Sequence, residues 1–135
     1  MIVLDTNLLL RYLLNDDPAQ ARRAQRLLEA SPLVTVTPTI LLELVWVLEC
    51  SDCSRAEIVI ALRHVCGLPN MRLPDEAAVF RAVQWFERGL DFADAMHLAL
   101  SPANATLMTF DKDFVGKAKR AEAFPTVAPC PIMQK

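Results

Sequence analysis

The chain lacks any apolar run long enough to cross a bilayer. Its longest apolar stretches, such as Ile40 to Leu48, are broken by charge and fall well short of the roughly 20 residues that a spanning helix requires, which excludes a transmembrane protein. Met1-Ile2-Val3-Leu4-Asp5 carries no basic segment and no small-residue cleavage pattern, so no secretory signal is read and a cytoplasmic location is expected. Internal repeats, low-complexity tracts and linkers are missing too. The 3 glycines and 9 prolines punctuate short periodic segments instead. At 135 residues with 53% hydrophobic side chains, the sequence predicts a single domain, residues 1–135, with a real core.

Zinc chemistry has only half a signature. Cys50 and Cys53 have the spacing of a metal knuckle, but Cys66 and Cys130 lie far apart, and neither His64 nor His97 completes a pair with ligand spacing. Cys50 is read as closing one helix and Cys53 as preceding the next, both as small reduced residues. Excess positive charge is lacking as well. A net charge of -2 argues against a nucleic-acid partner, because phosphate contacts need Lys and Arg. That objection weakens if several carboxylates hold cations, which cancel negative charge locally. Two basic runs also remain, Arg22, Arg23 and Arg26, then Lys112, Lys117, Lys119 and Arg120; both equally suit solvated helix faces.

The segments that are present alternate between strand and helix. Ile2-Val3-Leu4 is a short buried-strand run, and Asp5-Thr6-Asn7 suits a turn into a helix carrying Leu8 to Leu14. Asp17-Pro18 pairs an N-cap with proline at the first helical position and opens a helix to about Ala30. A strand over Leu33 to Val36 follows, then Thr37-Pro38 opens an apolar helix to Glu49 or Cys50. Ser54-Arg55-Ala56-Glu57 matches a capping box, and its helix ends at Gly67 and Pro69. Met71 to Leu73 suits a short strand, Pro74-Asp75 starts a helix stopping at Gly89, and another helix runs from about Phe92 to Leu100. Ala105 to Thr109 reads as a strand before Asp111-Lys112-Asp113, and a last short strand falls near Thr126 and Val127. Short strands alternating with helices predict an α/β fold, a three-layer α/β/α sandwich around a short, mostly parallel central sheet. In such sheets ligands bind beyond the carboxyl ends of the strands.

That rule directs attention to the acids. Asp5 ends the first strand, and Asp111 and Asp113 lie just beyond the strand ending at Thr109; if those strands are neighbours, the acids converge. Each is equally at home as a helix N-cap. Glu43 lies in a helix that is apolar all round, so it is expected to be buried and to need a proton, an ion-pair partner such as Arg11, or a metal. Asp91 and Asp94 are neighbours on one helical surface, Asp91 as the N-cap and Asp94 one turn in between Ala93 and Ala95. His97, one turn further on, is read as structural. Several carboxylates held together repel one another unless a cation is present. All-oxygen ligand sets select magnesium or manganese, which activate water and engage phosphate oxygens, so phosphodiester hydrolysis is the reaction class suggested.

The order Ile2-Val3-Leu4-Asp5-Thr6-Asn7, then Glu43 in an apolar helix, then Phe92-Ala93-Asp94-Ala95, then Thr109-Phe110-Asp111-Lys112-Asp113-Phe114, resembles the PIN-domain family and, within it, the VapC-type toxins of toxin–antitoxin pairs. The resemblance implies a parallel sheet between helices, a magnesium- or manganese-dependent endoribonuclease acting on RNA, a cognate antitoxin inserted into the active-site groove, and a homodimer that builds a basic RNA groove. Position by position, it makes Asp5, Glu43 and Asp94 the main acids. Asp111 or Asp113 would be the fourth, with Asp111 favoured and Asp113 left as a supporting or second-metal residue. Thr6 and Asn7 would orient Asp5, Thr109 would support the fourth acid, and Asp91 would join an outer metal shell. Two other functions compete. A domain that keeps this fold can bind RNA or a partner without catalysis. An aspartyl-nucleophile phosphatase would also start with an apolar run and Asp5, but such enzymes usually place a second Asp two positions on, where Asn7 stands.

Overall fold

In the computed structural model, which describes residues 1–131, most helix starts are fixed by a short polar side chain answering free backbone donors. Asp5 caps α1 (Thr6–Leu14), Asp17 caps α2 (Pro18–Ala30) and Thr37 caps α3 (Pro38–Cys50), the last two followed by proline at the first helical position. Ser54 and Glu57 form the reciprocal capping box of α4 (Arg55–Cys66), which Gly67 ends. These starts and stops match the sequence expectation closely, because caps and prolines act through local geometry that tertiary packing need not supply. Cys50 closes α3 and Cys53 precedes the cap of α4, and all four cysteines are free thiols.

The chain divides into two compact units, Met1–Glu76 and a second beginning at Ala77. The first contains β1 (Ile2–Val3), α1, α2, β2 (Val34–Thr35), α3 and α4. β1 runs parallel to β2, with Ile2 opposite Val34 and Val3 opposite Thr35; the α1–α2 pair supplies the crossover that parallel pairing demands. The strand expected over Met71 to Leu73 is reduced to a single bridge between Val34 and Met71. It is held by Val34 donating to the Asn70 carbonyl and Arg72 donating to Val34, at 2.9 and 2.8 Å, and Pro74 offers no N–H with which to extend it. Leu4, Leu9, Val34, Leu41, Leu44 and Leu62 are fully buried in this unit. The Asn70 side chain donates to the Leu28 and Ser31 carbonyls, each at 2.8 Å, which satisfies the exposed end of α2. Tyr12 on α1 and His64 on α4 share a 2.6 Å hydrogen bond.

The second unit contains α5 (Glu76–Glu87, from the unit boundary), α6 (Phe92–Ala99), β3 (Thr106–Thr109), α7 (Lys112–Arg120) and β4 (Thr126–Pro129). β3 and β4 are parallel, from Thr106 opposite Thr126 to Thr109 opposite Pro129, with α7 as their crossover. α7 is an element that the sequence expectation does not include, since its apolar content is low. Phe86 packs edge-on against Phe92, and Trp85 against Phe124. Among the described residues there are thus seven helices and short parallel strands, an α/β fold as expected, although the single sheet is resolved as two two-stranded ladders. No helix among the described residues is long and apolar enough to cross a membrane.

Candidate functional site

In the first unit, the backbone continues β1 through Leu4, whose N–H donates to the Thr35 carbonyl at 2.9 Å, and delivers Asp5 to the strand end. There Asp5 Oδ1 accepts the Asn7 backbone N–H and caps α1. Capping uses one carboxylate oxygen, so cap and cation ligand are compatible roles for this residue. Asn7 thus orients Asp5 through its backbone N–H. Thr6 is buried, and its Oγ1 has no hydrogen-bond partner. Asp5, Thr6, Asn7, Leu10, Ile40, Glu43, Trp46 and Val47 line a crevice of about 470 Å³.

Glu43 corrects an expectation. An apolar helix predicts its burial, yet it is exposed, as are Thr39 and Trp46 on the same side of α3. Leu41, Leu44, Val45 and Leu48 take the buried face. Apolar residues on every side of a helix do not guarantee cover on every side, and the side left open here includes a tryptophan. Nor is Arg11 its ion-pair partner. Arg11 Nη1 instead donates to both oxygens of Asp16, at 2.9 and 2.8 Å, and this hydrogen bond holds the Asp16 carboxyl below the usual range.

The second unit gathers the other acids. Asp91 caps α6, its Oδ2 accepting the Asp94 N–H at 3.2 Å. Asp94 is half-buried in the first turn of that helix. Burial first, then the charges of Asp91 and Asp111, push the Asp94 carboxyl above the usual aspartate range, opposed by His97 and Lys117. Asp111 Oδ1 caps α7 by accepting from Asp113 and Phe114, at 3.0 and 3.2 Å, while the Asp111 N–H donates to Thr109 Oγ1 at 3.0 Å. Asp113 is exposed, and its charge is not among those acting on Asp94. Each ladder lies within one unit, β1 pairing with β2 and β3 with β4.

Within the second unit Asp91, Asp94 and Asp111 offer the oxygen donors that suit a hard cation, and the neighbours of Asp94 make its ionisation costly unless positive charge is added. Among the described residues no three His, Cys, Asp or Glu side chains form a ready cage. Magnesium does not require one, because it keeps several waters and takes one or two carboxylates together with substrate phosphates. Sequence reasoning missed Trp46 as a crevice residue and Lys117 as a charge acting on Asp94. The first was findable, since Trp46 stands three residues after Glu43 and so shares its helix face; the second depends on how α7 packs and left no local signal.

A family model described as PIN domain matches residues 2–120. Neither a curated protein nor a solved structure matches the chain. PIN domains are generally metal-dependent nucleases that use divalent ions. The matched stretch runs through both units and takes in every acid described above, and the chain belongs to the PIN domain family.

Proposed function

We propose that this chain is a magnesium- or manganese-dependent endoribonuclease, the toxin of a toxin–antitoxin pair. Asp5, Glu43, Asp94 and Asp111 supply the oxygen ligands, with Asp91 in an outer position. The observation that carries the reading is Asp94: a half-buried carboxyl crowded by Asp91 and Asp111 is a poor arrangement for a protein alone and a good one for a protein holding a cation. Asp111 is preferred over Asp113 as the fourth acid because its charge acts on Asp94. Bound there, the ion would activate water and offset charge building on the phosphate and leaving oxygen.

The protein's own part is to hold the acids and guide the strand. Caps on α1 and α7 keep one oxygen each of Asp5 and Asp111 fixed and leave the other to a ligand. Exposed Arg22, Arg23 and Arg26 on α2, and Lys117, Lys119 and Arg120 on α7, are the phosphate-tracking groups. The partners proposed are RNA, a cognate antitoxin and a second copy in a homodimer, in the cytoplasm. Structured RNA incubated with the purified chain and manganese should be cut, and chelator should stop the cutting. Equal RNA loss with Asp5→Asn protein would trace it to a contaminating nuclease and remove the reading.

A further inference from the structure

The crevice of the first unit has two features that the acids do not use. Trp46 stands on its wall with 65% of its surface exposed, whereas the other tryptophan, Trp85, is 2% exposed. Thr6, also lining the crevice, is 6% exposed and its hydroxyl bonds to nothing. A large flat ring left in water and a buried polar atom left unpaired both mark a place where a ligand completes the structure.

The ligand must have a flat apolar face, because the indole offers one, and a polar edge for Asn7, which also lines the crevice. It must also carry a group tolerated beside two carboxylates. A nucleotide fits: its base stacks, and its phosphate reaches the acids through a divalent cation. The strand must be single, since paired bases in an RNA helix keep their faces against one another. We propose that Trp46 is the platform on which a base of single-stranded RNA stacks beside Asp5 and Glu43. Glu43 and Trp46 are three apart on α3 and therefore adjacent on its surface, so the stack orients the strand where the acids are. This inference rests on the reading of the chain as a ribonuclease.

Because Trp85 is buried, a change in emission on adding RNA reports on Trp46. Rapid mixing of the full chain and manganese with a short oligoadenylate should quench that emission, and the same strand paired with oligouridylate should not. In steady-state cleavage of single-stranded RNA, Trp46→Ala should raise KM roughly tenfold, the loss expected from one base–aromatic stack, with kcat within about twofold. Trp46→Phe should restore most of the KM. An unchanged KM in Trp46→Ala, with cleavage intact, overturns the stacking platform and leaves the ribonuclease reading standing. Quenching by single strands in a protein that cuts nothing supports the platform and removes the ribonuclease reading. Emission that shifts with protein concentration in the absence of RNA would assign Trp46 to a contact between copies and overturn the proposal. So would quenching by an arginine-bearing peptide but not by oligoadenylate.

Discussion

The two units present their acids in different settings. In the first, Asp5 and Glu43 are exposed on an open crevice beside an exposed indole. In the second, Asp94 is half-buried, with Asp91 and Asp111 close enough to oppose its ionisation. Exposed carboxylates stand open to solvent. A crowded, partly buried one ionises less readily unless positive charge is added. The difference teaches that acids within one family domain need not share an environment: those of the first unit lie open to solvent, and Asp94 of the second carries an electrostatic conflict that an added cation would relieve.

Removing an acid tests that contrast most strongly. Asp5→Asn and Asp94→Asn, each by itself, should reduce RNA cleavage about a hundredfold or more, since a metal ion's charge stabilisation amounts to several kcal/mol. Asn is as good an N-cap as Asp, so Asp5→Asn should melt close to wild type, whereas Asp5→Ala should lose about 0.5–2 kcal/mol. The next effect separates α3's two faces. Leu44→Ala, at a fully buried position, should cost roughly 2–5 kcal/mol in denaturant unfolding. Glu43→Gln, one residue earlier and exposed, should change stability by less than about 0.5 kcal/mol while cutting activity.

A smaller effect comes from the Asp94 conflict itself. Its folded pKa lies above the ordinary value, so the folded form binds more protons than the unfolded one through the carboxylate range. Stability of the metal-free protein should therefore fall as pH rises through that range and then level off. Asp94→Asn removes this loss. In chelator it should raise Tm by roughly 1–3 °C at neutral pH and leave Tm unchanged in acid, where Asp94 is protonated in both states; a uniform offset at every pH would contradict the electrostatic cause. The smallest effect is chemical. Burial pushes the Cys66 thiol up to about 11, so mass-mapped alkylation should label exposed Cys50 well before Cys66.

Legibility in the sequence followed the range of the interactions concerned. The caps at Asp17, Thr37 and Ser54 and the end at Gly67 could be read directly, because each depends on a few consecutive residues. The strands were harder: Leu33 to Val36 shrank to Val34–Thr35, and Met71 to Leu73 to one bridge, since strand length is set by a partner distant in the chain. The resemblance names four acids, Asp5, Glu43, Asp94 and Asp111, and the family match over residues 2–120 contains all of them. Glu43's exposure was not legible, because hydropathy records what α3 is able to bury and says nothing of what arrives to cover it. The crowding of Asp94 by Asp111 was likewise hidden, as it depends on how α6 and α7 are brought together within the second unit.

Manganese affinity, measured by calorimetry on wild type and on Asp94→Asn at neutral pH, bears most directly on the claim that these carboxylates hold a divalent ion. The wild type should bind the ion, and the variant should bind it at least about tenfold more weakly. Equal affinity in the two proteins, or none in the wild type, would contradict that claim.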